Sequence, residues 1–170
     1  MNQLRSDEYP ASWSRYIDTV IGDPLGILRE QIESFPAFLD SIPAGKSEFV
    51  YAEGKWTIKE VVGHVLDTER VMAYRALCFA RNDTKELPGF DDEGFVLNAH
   101  FNDRSLEHYG KEFVYLRKSN LFLIESFKEN ELLRSGLAGE RLVSVRALIY
   151  MIAGHLNHHQ NIIQERYLKA

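Results

Sequence analysis

The chain has 170 residues, 45% of them apolar and 26% charged, and carries a net charge of −5. That is the balance of one soluble globular domain with a single core. The acidic total and the scattered basic residues argue against a nucleic-acid footprint and against an anionic membrane partner.

One cysteine, Cys78, leaves no intrachain disulfide. No apolar run approaches the roughly 20 residues that span a bilayer, and the first ten residues lack the apolar stretch of a signal peptide. A reducing cytoplasm is the expected compartment.

Residues 1–23 carry Trp13 and Tyr16 and are expected to pack, as an N-terminal extension, on a single domain spanning 1–170. The first helix is predicted from about Pro24 to Ile42. Proline suits a first helical turn, and Leu25, Leu28, Ile32, Phe35 and Leu39 form one apolar stripe. Pro36 inside it predicts a kink or a break. A weak β propensity follows at Phe49-Val50-Tyr51.

Thr57 then begins the second helix, with Glu60 completing a capping box. Ile58, Val61, Val62, Val65, Met72, Ala76 and Phe79 form its stripe, and it is expected to stop near Arg81-Asn82-Asp83. The connection from Asn82 to Arg104 is long for a small domain, which marks it as functional or as a wrap around the core. The third helix is predicted from Ser105 to Lys128. Gly136 and Gly139 punctuate the next loop, and the fourth helix runs from about Ser144 to Tyr167. No segment shows convincing period-two alternation. The expected fold is all-α, a four-helix bundle with one long loop between its second and third helices.

The chemistry concentrates on three histidines. His155 and His159 are four apart and so share a helix face. Unlike most histidines, they fall on the apolar stripe itself, beside Val145, Leu148 and Ile152. Two imidazoles in a dry core need partners for their ring nitrogens, and one divalent cation satisfies a nitrogen on each. His64, on the second helix, is a third candidate ligand. Three imidazoles leave a tetrahedral ion one open position, as catalytic sites do.

Asp67, three residues after His64, is the candidate catalytic carboxylate, orienting an imidazole or accepting a proton. An ion pair with Arg70 or Lys59 is the plainer alternative. Glu69 lies further round the helix and reads as a surface ion pair. His100 and His108 read as surface residues, His158 as surface or as support for a ligand, and Cys78 as a small core residue. The chain has no H-E-x-x-H, no Glu-x-x-His, no phosphate-binding glycine loop and no G-x-S-x-G. Zincin, di-iron and serine-hydrolase chemistries are therefore disfavoured.

The segment Lys55–Arg70, continued by Ala73–Leu77, resembles the first metal-ligand segment of the DinB/YfiT-like superfamily. Leu87–Asp92 is similar to that family's loop after the second helix. Ala153–Ile163, with its H-x-x-H-H, is similar to the last-helix motif. The resemblance implies a four-helix bundle in which His64, His155 and His159 bind a divalent ion, often zinc or nickel, and a homodimer acting on a small-molecule substrate. It also implies an activity of one of two kinds. One is a thiol S-transferase whose ion binds and acidifies a low-molecular-weight thiol such as bacillithiol or mycothiol. The other is a hydrolase whose ion activates water. The alternatives are a non-catalytic metal- or ligand-binding bundle with a stress-related role, and a metal-free core in which the histidines are only polar packing.

Overall fold

The computed structural model describes residues 4–169, so the outermost ends of the expected 1–170 domain lie outside the described residues. After a 3₁₀ turn, α1 (Ser14–Ile17) leads to α2 (Pro24–Asp40), α3 (Ile58–Ala80), α4 (Asp92–Asn98), α5 (Leu106–Glu125) and α6 (Glu129–Leu132). A hairpin of β1 (Ser135–Ala138) and β2 (Arg141–Ser144) precedes α7 (Val145–Ile162), which continues as a π-helical segment, Ile163–Leu168. No helix among the described residues is long and apolar enough to cross a membrane.

The long helices begin where side chains satisfy their free amides. The Gly26 amide donates to the Asp23 side chain, with Pro24 in the first turn. Thr57 and Glu60 form the reciprocal capping box of α3. The Ser105 and Ser144 side chains accept from the His108 and Ala147 amides at the starts of α5 and α7. Pro36 does not break α2, which runs on to Asp40.

The four long helices close into a bundle in which α3 packs on α7 and α5, and α2 packs on α5 and α7. Successive long helices α2 and α3 are therefore diagonal rather than adjacent. The core divides into two apolar clusters, one around Leu148, Ile149 and Phe79, the other around Phe35, Val62 and Phe113.

Three features refine or depart from the expected outline. The loop from Gly136 to Gly139 belongs to the hairpin, whose turn residues Gly139 and Glu140 both have positive φ (57° and 64°), as a type I′ connection requires. The connection after α3 is an ordered wrap: Leu87 bridges to Ala138 of the hairpin, and Val96 and Phe101 are buried. Phe49–Tyr51 form no strand; the rings of Phe49 and Tyr51 pack edge-on against Tyr167 instead.

Glu69 is a fourth such feature. It is buried, not at the surface, and Arg117 from α5 grips both its oxygens at 2.8 Å. Arg117 also donates to Leu28 O and to Gln31 of α2. Gln31 in turn donates to Ala153 O and Asn157 of α7 at 3.0 and 2.7 Å. One polar chain thus ties all four long helices together.

The N-terminal segment docks on α7, with Trp13, Ile17 and Val20 buried. The Glu8 carboxylate receives Arg146 and Ser144 of this region. Burial raises the Glu8 pKa, but hydrogen bonds from Arg146, the Arg5 amide and Ser144 outweigh it and hold the group at about 2. Where α1 crosses α7, a Cβ on Gly154 would lie 2.2 Å from the Tyr16 carbonyl oxygen. That neighbour is backbone and cannot swing aside. Gly154→Ala gains helix propensity of about 1 kcal/mol, yet overpacking costs typically 1–3 kcal/mol and more against backbone. The expected outcome is net destabilisation by about 1–2 kcal/mol in urea unfolding, with faster proteolysis of the N-terminal segment. Unchanged stability and protection would contradict the close crossing.

Candidate metal centre

His64 sits one and a half turns into α3; His155 and His159 sit one turn apart in the second half of α7. The packing of α3 against α7 brings the three rings together. His155 Nε2 lies 3.1 Å from His64 Nε2 and 3.1 Å from His159 Nε2. A ligand atom from each of the three lies within 4.8 Å of the others. His64 and His155 are buried and His159 half-buried.

Hydrogen bonding alone does not satisfy this cluster. A neutral imidazole nitrogen carries either one proton or one lone pair. His155 Nε2 therefore pairs well with one neighbour and not with both. A cation that receives a lone pair from each ring removes the conflict. Two zinc–nitrogen bonds of about 2.0–2.1 Å at a tetrahedral angle put their nitrogens roughly 3.3 Å apart, close to the spacing found. The donors present thus fit a single divalent ion.

Their protonation fits as well. Burial lowers His64 to about 4, against a smaller opposing effect of the Asp92 carboxylate. Burial, reinforced by the neighbouring histidines, lowers His155 and His159 well below the ordinary value. All three are neutral at physiological pH with lone pairs available.

Surrounding rings fix the orientation. Trp56 packs on His64 at 4.9 Å between centroids, and Tyr16 on His155 at 5.3 Å. The Tyr167 hydroxyl of the π-helical segment donates to Trp56 O at 2.7 Å. Nδ1 of His159 is buried without a hydrogen-bond partner.

His64 and His155 form one wall of a cavity of about 400 Å³, within the size range of small-ligand sites. His64, Thr68, Met72 and Arg75 line it along one face of α3, at the spacing that puts side chains in a row. Tyr16 and Arg15 enter from α1, Phe90 and Asp92 from the wrap, and Arg141 from the hairpin.

Asp67 is placed differently from Asp92. It accepts from Arg70 at 3.1 Å, and Arg70 also bonds Glu112 of α5. Burial raises its pKa, against the opposing Arg70 charge. It is not among the residues lining the cavity, whereas Asp92 is. His158 stands beside the cluster, edge-on to Tyr16 at 4.9 Å. His100 and His108 are exposed and Cys78 is buried. Thr68 and Arg75 were missed in the sequence, although their positions four and eleven residues after His64 put them on one helix face with it. Arg15, Asp92 and Arg141 carry no such signal, because long-range packing brings them in.

A helical bundle whose second and last long helices bring three imidazoles together, two of them on the wall of a polar cavity, defines the class of protein. The chain belongs to the DinB superfamily, whose family model matches residues 27–163. Its fold is similar to that of YfiT from Bacillus subtilis, described as a probable metal-dependent hydrolase with an unusual four-helix bundle topology. The two superpose with a TM-score of 0.71 at 16% identity, over 99% of this chain and 93% of that one. No curated protein matches the chain significantly.

Proposed function

We propose that the protein is a metal-dependent enzyme, and that its reaction is hydrolysis of a small substrate. His64, His155 and His159 hold the ion, zinc or nickel. The supporting observation is the convergence of three neutral imidazoles, two of which, His64 and His155, form a wall of a polar cavity. The likeness to YfiT agrees with it. When bound, the ion supplies Lewis acidity, which makes a nucleophile available at neutral pH. A low-molecular-weight thiol in place of water would make the same site a thiol S-transferase.

The chain's own groups do the rest. Trp56 and Tyr16 hold two of the imidazoles in orientation. Asp92, inside the cavity and close enough to influence His64, accepts the proton released from the nucleophile. Asp67, neutralised by Arg70, is the lesser candidate for that task.

The test begins with elemental analysis of untagged protein, where about one equivalent of divalent metal is expected. Turnover is then measured on small carboxylic and phosphoric esters, with and without added thiol. Turnover without thiol supports hydrolysis, and turnover only with thiol reassigns the enzyme as a transferase. No metal after reconstitution with each ion overturns the reading. Asp92→Asn is expected to lower turnover about 10²-fold or more at full metal content. An equal loss in Asp67→Asn alone would return the proton-accepting role to Asp67.

A further inference from the structure

We infer that the substrate is anionic, and that Arg75 and Arg141 bind its carboxylate or phosphate group at the end of the cavity away from the histidines. As a statement about substrate, this rests on the enzymatic reading above; as a statement about an anion site, it stands on the arginines alone.

The observation is a missing counter-charge. Among the described residues three arginines are buried: Arg75, Arg117 and Arg146. Arg117 is paired with buried Glu69, and Arg146 with buried Glu8. Arg75 has no carboxylate within ion-pair distance among the described residues. Its guanidinium donates to Pro88 O at 2.8 Å, touches the Met72 sulfur at 3.8 Å and lies 5.7 Å from the Phe90 ring centre. These are weak substitutes for an anion around a desolvated cation.

The neighbours sharpen the point. Arg141, in the same cavity, likewise enters no ion pair among the described residues. Burial lowers the Arg75 pKa, and the Arg141 charge in the same cavity lowers it further. Arg15, exposed and lining the same cavity, donates to the Tyr16 hydroxyl. Asp92 lines the cavity but stands outside ion-pair distance of any of the three.

A second orphan lies between the two ends. The Thr68 hydroxyl, on a residue only 2% exposed, has no hydrogen-bond partner and lines the same cavity. Along α3 it sits about 6 Å beyond His64, and Arg75 about 16 Å beyond, with side chains leaning back toward the helix start. The cavity thus takes an elongated molecule: its reacting bond at the histidines, a polar atom at Thr68, and its anionic group at Arg75 and Arg141.

The test is titration with inorganic phosphate, followed by calorimetry and by thermal melting at low salt. The variants are the parent, Arg141→Ala, Arg75→Met and the double variant His155→Ala/His159→Ala. One phosphate per parent chain is expected. Affinity should fall about tenfold in Arg141→Ala and be lost in Arg75→Met. It should stay within about twofold in the histidine variant, even though that variant holds no metal. Phosphate should raise the melting temperature of the parent and not of Arg75→Met. Arg141 is exposed on the hairpin, so its variant folds and remains informative if Arg75→Met does not. Absence of phosphate binding by the parent, or affinity equal to the parent's in the arginine variants that fold, overturns the proposal. Binding lost with the histidines but kept without the arginines places the anion on the ion; it overturns the proposal and leaves the metal site standing. Phosphate binding by a parent that takes up no metal does the reverse.

Discussion

Arg117→Ala should be the most destabilising single substitution in the bundle, by about 3–5 kcal/mol. The guanidinium is fully buried and its partner Glu69 almost so. Removing it strands the Glu69 carboxylate, with Asn120 as its remaining donor at 3.1 Å. It also takes a donor from Leu28 O and from Gln31. An uncompensated buried charge costs more than the pair it belonged to contributes. For a domain of this size the loss corresponds to a melting temperature lower by roughly 6–20 °C. Arg117→Met/Glu69→Leu removes both charges and should recover much of the loss, leaving mainly the unpaired Gln31 and Asn120 groups. Thermal and urea unfolding of the three proteins decide the matter. If the double variant is worse than Arg117→Ala, the two charges contribute more as a pair than their desolvation costs.

The same network explains where sequence reasoning stopped. The helices were legible because local chemistry specifies them: a proline in a first turn, a Thr57–Glu60 box, a stripe at helical spacing. The three histidines were legible because two fell on such a stripe. Glu69 was misread because a single-stripe wheel assumes one buried face. Helix α3 is covered by α7, α5 and the wrap, so residues on nearly every side of it are buried, Glu69 and Arg75 included. The hairpin escaped notice because each strand is four residues long, and its turn is Gly139-Glu140 rather than Asn-Gly. Its register is set by packing on Phe79 and by the Leu87 bridge to Ala138, neither of which is local in sequence. The candidate centre divides the same way. The ligands follow helical periodicity, while Asp92 and Arg141 reach the cavity from the wrap and the hairpin.

Chelation should lower the melting temperature of the parent by roughly 8–16 °C and leave His155→Ala/His159→Ala unmoved. The argument is linkage. A ligand that binds only the folded chain stabilises it by RT ln(1 + [L]/Kd), about 4.1 kcal/mol when the free ion stands at a thousand times its dissociation constant. At 2–4 °C per kcal/mol for a chain of this length, that gives the stated shift. The unfolded chain has no comparable site, because His64 lies 91 residues from His155. The double variant removes two of three ligands and should melt alike with and without chelator. Against the chelated parent it should differ little, or melt higher. Alanine discards the cavity-wall imidazole contacts, but it also discards nitrogens that hydrogen bonding within the cluster leaves unsatisfied and a buried, unpartnered His159 Nδ1. Acid adds an independent check: protonation of the imidazoles competes with the ion, so the chelator-sensitive part of the parent's stability should shrink as pH falls. A parent whose melting is indifferent to chelator at every pH would remove the ion from the cluster and make these histidines ordinary core residues.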